Sequence, residues 1–218
     1  MTVRLARTRR GDGTALPVPP VVRLRRDVLW LVAGAVILLL SALPVDEHSL
    51  SGAERSVFGA MNQIPGVPFA PVWLLMQAGN VAAVPVAAGA AAVVRRFRLA
   101  VGLLAAGALA YAGAKVVKQF ITRGRPSTLV DDVEFHGAVA HGLGFVSGHA
   151  AVAVTLVAVA FPYLGRRGRW LAGGLALFVC VARVYVGAHL PLDVVGGAAL
   201  GLLVGAAVRL GLGRPACS

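Results

Sequence analysis

The sequence predicts an all-α polytopic membrane protein with six transmembrane helices. Of its 218 residues, 58% are hydrophobic and only 14% charged, well short of the charge a soluble domain of this length carries. Apolar runs of about 18 to 25 residues recur along the chain, each long enough to cross a bilayer. The runs are rich in Leu, Ala, Val and Gly and do not alternate apolar with polar residues. Helices are therefore expected rather than a closed barrel.

The expected helices cover residues 28–45, 67–94, 99–121, 147–165, 170–188 and 192–212. Residues 1–27 read as a basic, Pro-containing cytoplasmic tail with the composition of a disordered segment. Residues 28–212 form the six-helix membrane domain, and 213–218 a short C-terminal tail. A signal peptide over the first 45 residues is the rival reading. The long charged region and the lack of a clear small-residue cleavage site weigh against it.

Basic residues set the expected orientation. Nineteen arginines and two lysines divide 15 to six between the two sides, and seven of the nine acids lie on the side poorer in cations. The positive-inside rule then places both termini in the cytoplasm, with residues 46–66, 122–146 and 189–191 facing outward. The first outer connection has the pattern of a short amphipathic helix presenting Val57, Phe58 and Met61 to the lipid or the bundle, with His48 solvated. A formal charge of +12 raises the question of nucleic acid, but the arginines cluster at helix ends and no aromatic residues interleave them. No nucleic-acid partner is expected. Cys180 inside a helix and Cys217 at the penultimate position read as unpaired structural residues.

Three segments hold most of the unexplained polar residues, and all three approach the outer face. The first is Lys118 with Arg125-Pro126; the second is Ser147-Gly148-His149; the third contains Arg183, His189 and Asp193. Each has a plain structural reading. Lys118 can snorkel from a helix end, Ser147 can cap a helix, and Asp193 can cap the next one. Arg183 is harder to dismiss, because about six residues separate it from the outer end of its helix. Taken together, three cations, two histidines, one carboxylate and a helix N-terminus on one membrane face suit a phosphate. His189 and Asp193 are four residues apart, so the carboxylate can hold one ring nitrogen and leave the other free to react. No metal is expected, since acids and histidines do not cluster at ligand spacing.

These segments resemble the signature of the type 2 phosphatidic acid phosphatases (PAP2), membrane lipid-phosphate phosphatases related to vanadium haloperoxidases. That signature is Lys, six residues, Arg-Pro; then Pro-Ser-Gly-His; then Ser-Arg, five residues, His, three residues, Asp. The first part is intact as KQFITRGRP, the second reads VSGH with Val146 in place of proline, and the third reads ARVYVGAHLPLD with Ala182 in place of serine. The resemblance spans about residues 60–212 and implies a six-helix PAP2-like bundle. It implies that His189 is the nucleophile forming a phosphohistidine, that Asp193 orients it, and that His149 protonates the leaving group. It further implies that Lys118, Arg125 and Arg183 hold the phosphoryl oxygens with Ser147 and the Gly148 amide. No cofactor is implied.

The expected function is hydrolysis of a lipid phosphomonoester or pyrophosphate at the outer face of a bacterial cell membrane. Candidate substrates are a polyprenyl pyrophosphate, a phosphatidylglycerol phosphate, a phosphatidate and a polyprenyl-linked sugar phosphate. The alternatives are a noncatalytic membrane protein that binds or moves an anionic lipid, and a transporter, against which the lack of an internal repeat counts. Lys115 and Arg123 are expected beside the site rather than in it. The outer loop bearing Asp131, Asp132 and Glu134 is expected to gate the lipid headgroup, with His136 or His141 tuning access.

Overall fold

A computed structural model describes residues 21–22, 25–137 and 139–215. Most of the expected N-terminal tail, and Cys217, lie outside the described residues. Nine α-helices are found among them: α1 (Arg25–Ala42), α2 (Gly52–Asn62), α3 (Phe69–Met76), α4 (Ala83–Val93), α5 (Phe97–Phe120), the single turn α6 (Pro126–Leu129), α7 (Gly148–Ala160), α8 (Arg166–Tyr185) and α9 (Pro191–Leu212). Two-residue strands β1 (Val21–Val22) and β2 (Arg214–Pro215) pair antiparallel. They tie the segment before α1 to the segment after α9.

The architecture is an all-α membrane bundle, but the expectation of six membrane-length helices is not met. Among the described residues three helices are long and apolar enough to cross a bilayer: α5, α8 and α9. A fourth is reached if α3 and α4, bent by 69° at their junction, count as one broken span. The reasons are local. The 18-residue helix α1 includes Arg25, Arg26 and Asp27, which leaves too short an apolar stretch. The apolar run over 67–94 breaks at Asn80, whose side-chain oxygen accepts the Ala82 amide at 3.0 Å in a local turn that competes with the helix. The fourth run ends early: α7 has 13 residues and passes into a 3-10 turn over Phe161–Tyr163, which carries Pro162.

Helix α9 lies at the centre, packed against α1, α7, α5 and α8. Glycines make this possible. A Cβ at Gly201 would lie 2.6 Å from the Ala151 carbonyl oxygen, and one at Gly205 would lie 2.6 Å from the Ala158 Cβ. Gly197 sits equally close to the Ser147 carbonyl. These three glycines recur every four residues and form one face of α9, so the backbones of α7 and α9 come into direct contact. Thr155 adds an interhelical hydrogen bond, its hydroxyl donating to the Gly201 carbonyl at 3.2 Å. On the other flank Gly34 of α1 meets the backbone of α9 at Ala199 and Leu203. Alanines Ala106, Ala110 and Ala114 line the buried face of α5 in the same manner. Large apolar side chains such as Leu29, Leu39, Phe120, Trp170 and Leu171 instead face outward, as a lipid-facing surface requires.

The connection after α1 holds the expected short helix as α2, capped by the Ser51 hydroxyl, which accepts the Glu54 amide at 3.2 Å. Phe58 turns into the core and Val57 outward, while His48 is exposed.

Gly201→Val should strain the α7–α9 seam and cost about 1–3 kcal/mol, as overpacking does. Gly173→Ala on α8, where an added Cβ meets nothing within 4 Å, should leave stability unchanged or slightly raised. Thermal unfolding of both variants in detergent checks the contrast.

Candidate active site

The three sequence segments converge because α7 and α9 begin side by side. The Ser147 amide donates to the Asp193 carbonyl at 2.8 Å, joining the two helix N-termini directly. Ser147 is fully buried and caps α7, its hydroxyl oxygen accepting from the Ala150 amide at 3.5 Å. Gly148 follows, and a Cβ there would meet nothing within 4 Å, so the free amides of the first turn border open space. His149 is half-buried, and its charged neighbours are Arg183 and Arg125.

The spacing from Arg183 to His189 has a backbone cause. The Arg183 carbonyl accepts both the Ala188 amide at 3.2 Å and the His189 amide at 3.1 Å, closing α8 with Gly187 at φ +72°. A side chain at position 187 would also collide with Val133 and the Glu134 carbonyl. Pro191 then opens α9 and Asp193 sits in its first turn, where Oδ2 accepts the Leu190 amide at 2.9 Å. His189 is thereby held between the end of one helix and the start of the next, 3% exposed.

His189 Nδ1 lies 3.4 Å from Asp193 Oδ2, and its Nε2 lies 3.4 Å from an Arg125 Nη1. A guanidinium can only donate, so the nitrogen it faces carries the lone pair. That places the ring proton on Nδ1, toward the carboxylate. The Nδ1 contact is long and outside hydrogen-bonding geometry, an arrangement that tightens in catalytic sites once substrate is bound. Burial pushes the His189 imidazole down from 6.5 to about 3, against the pull of Asp193 and with Arg183 and Arg125 adding to the depression. The ring is neutral at physiological pH, with an unprotonated Nε2.

Arg125 faces this nitrogen, Arg183 is a charged neighbour of the ring, and Lys118 is a neighbour of Arg125. Arg125 donates from Nε to the His141 and Gly142 carbonyls at 2.9 and 3.2 Å, and from Nη1 to the Ala188 carbonyl at 2.7 Å. Lys118, in the last turn of α5, donates to the Leu143 and Gly144 carbonyls at 2.5 and 3.1 Å. Its charged neighbours are Arg125 and Asp193. Arg183 touches the Met76 sulfur at 3.4 Å, and its Nε is buried without a hydrogen-bond partner among the described residues. A buried, unsatisfied guanidinium donor suits an anion. Among the described residues no group of three or more His, Cys, Asp or Glu side chains could hold a metal ion.

Glu54 escaped the sequence reading, and Arg123, expected beside the site, is tied into it. Arg123 is 1% exposed and bonds both Glu54 and Asp193. Glu54, from α2, is also buried. Lys115, by contrast, is exposed and lies over the Tyr111 ring at 4.6 Å. In the loop between α6 and α7, Asp131, Asp132, Glu134 and His141 are exposed. His136 stacks on Tyr185 with ring centroids 4.2 Å apart, and Asn62 latches the Glu134 backbone through two hydrogen bonds.

This helical bundle, with paired helix N-termini around a histidine, an aspartate and basic residues, has the form of a membrane phosphatase. The model of the PAP2 superfamily matches residues 99–214, and the chain belongs to that family of membrane lipid-phosphate phosphatases. Phosphatidylglycerophosphatase B of Bacillus subtilis strain 168 is 35% identical over 95 residues, which are 41% of this chain and 46% of that protein. The chain thus matches under half of that relative's length. The crystal structure of Aquifex aeolicus LpxE superposes with a TM-score of 0.69 at 22% identity, covering 75% of this chain and 98% of that one. The first transmembrane PAP2-type phosphatidylglycerolphosphate phosphatase from Bacillus subtilis superposes with a TM-score of 0.60, also at 22% identity, over 85% and 95% of the two chains. Both likenesses speak to the fold.

The depressed His189 pKa has a consequence for stability. Between about 3 and 6.5 the unfolded chain binds the proton and the folded chain does not. The stability present above 6.5 should therefore fall as pH drops through that window and be fully lost at about 3. Thermal melts from pH 7 to 4 should show a shallower acid decline in His189→Gln than in the unaltered protein.

Proposed function

We propose that the protein hydrolyses the phosphate ester or pyrophosphate of a membrane lipid through a phosphohistidine at His189. The observation that carries this reading is the buried, neutral imidazole whose Nε2 faces Arg125 while Nδ1 faces Asp193. Nε2 attacks phosphorus with its lone pair. The bond from phosphorus to the leaving oxygen breaks, and His149, protonated once the anionic substrate is bound beside it, supplies the proton that oxygen needs. The leaving group departs as a lipid alcohol, or as a lipid monophosphate when the substrate is a pyrophosphate. His149, now neutral, takes a proton from water. The hydroxide attacks phosphorus, the P–N bond breaks, and orthophosphate and neutral His189 are regenerated. Lys118, Arg125, Arg183, the Ser147 hydroxyl and the Gly148 amide hold the phosphoryl oxygens as charge develops on them.

In this reading both termini lie in the cytoplasm and the site faces outward, as the distribution of basic residues favours. Among substrates, the similarity to a phosphatidylglycerophosphatase favours a phosphatidylglycerol phosphate over the other lipid phosphates. The exposed acids Asp131 and Asp132 stand at the headgroup entrance, where they select among headgroups rather than drive the chemistry.

Phosphate release from a panel of lipid phosphates, with purified protein in detergent and a chelator present, tests the reading. Release should persist with the chelator, and His189→Ala should lower kcat by at least about a thousandfold. Equal release from the variant, or none from any substrate with the unaltered protein, would overturn the proposal; the latter outcome favours a lipid-binding role. Exchanging Asp131 and Asp132 for lysine should change the ranking of lipid substrates while leaving turnover of a small soluble phosphate ester within about threefold.

A further inference from the structure

The Arg123 guanidinium joins two carboxylates in a dry interior. It bonds Glu54 through two nitrogens, at 3.0 and 2.6 Å, and reaches Asp193 Oδ1 at 3.1 Å. The three side chains are 5% exposed or less. Glu54 Oε1 also accepts the Leu192 amide at 2.9 Å, so it grips the first turn of α9 as well as Arg123. Glu54 comes from α2, outside residues 99–214 that the family model matches.

From these contacts we infer that Arg123 and Glu54 are positioning residues for the reaction: Arg123 locks the Asp193 carboxylate that orients His189, and Glu54 locks Arg123. The inference rests on the phosphohistidine reading of the site. Asp193 Oδ2 has two tasks, the Leu190 amide and the His189 ring. Arg123 occupies the other oxygen, so the carboxylate cannot rotate and exchange the two. The charges matter as much as the geometry. Arg123 alone would cancel the negative charge of Asp193. With Glu54 on its far side the cluster carries one net negative charge, which stabilises the cationic ring formed when Nε2 bonds phosphorus while Nδ1 keeps its proton. A buried ion cluster adds little net stability over a well-packed apolar one, so placement and charge at His189 are the return on its desolvation.

The test uses Glu54→Gln and Arg123→Lys in the full chain, each also combined with Asp193→Asn. Alone, each change should lower kcat about 10- to 100-fold with KM held within about twofold. In the Asp193→Asn background, each should cost less than about threefold more, because the residue through which it acts is already disabled. Full-sized losses in both backgrounds, or a raised KM at unchanged kcat, would overturn the inference. Nitrogen-15 NMR of the His189 ring gives a readout independent of turnover. The unaltered protein should show protonated Nδ1 and bare Nε2, and both variants a mixture of tautomers. An unchanged ring signature in both variants overturns the positioning role. An altered signature in a protein that releases no phosphate overturns the phosphatase reading and leaves the positioning of His189 intact.

Discussion

The site depends on how closely α7 and α9 approach each other. Gly197, Gly201 and Gly205 remove the α9 side chains from the seam, and the Ser147 amide bonds the Asp193 carbonyl at its head. In a bilayer this closeness cannot come from the hydrophobic effect, since lipid tails are as apolar as the helices. Packing of backbone on backbone and the Thr155 hydrogen bond take its place. Two helix N-termini are thus held together, and with them Gly148, His149, His189 and Asp193. The second consequence is electrostatic. Two positive dipole ends point toward one spot, supplementing the three flanking cations without any further side chain.

Burying so much charge at one end of a bundle this apolar demands compensation, and most of it comes from backbone carbonyls. Lys118 and Arg125 are satisfied by carbonyls of the 141–144 loop and of Ala188. Arg123 meets carboxylates through both terminal nitrogens, while its Nε is buried without a hydrogen-bond partner among the described residues. Arg183 differs in its other contact, because its Nη1 meets the Met76 sulfur rather than an oxygen, and its Nε is likewise unfilled. The site therefore mixes cations held by oxygens of the chain with one, Arg183, that meets a sulfur instead.

Much of this was legible in the residues. Runs of Leu, Ala, Val and Gly marked α5, α8 and α9, where charged residues keep toward the helix ends and leave a long central stretch free of them. The bend at Asn80 and the early end of α7 were not legible, because hydropathy averages over a lone asparagine and a proline while hydrogen-bond geometry does not. The three signature segments were readable through fixed spacings that the backbone enforces, such as the two amides held on the Arg183 carbonyl. Glu54 and Arg123 were harder to read. A glutamate three residues after a serine reads as half of a capping box, and the serine half is realised; its carboxylate, though, turns inward to a partner 69 residues away. Only an unassigned arginine inside the first signature segment, set beside the acids expected on the same side, hinted at such a pair.

The carbonyls that hold Lys118 and Arg125 stand where phosphate oxygens would compete for the same donors. Ligand binding is then an exchange of partners rather than a filling of bare positive charge, and its affinity is a difference between two sets of hydrogen bonds. The 141–144 loop is in effect a built-in rival to both substrate and product. In the proposed reaction, its return to the cations would help expel orthophosphate, and a strongly basic site would avoid trapping the inorganic anion it releases.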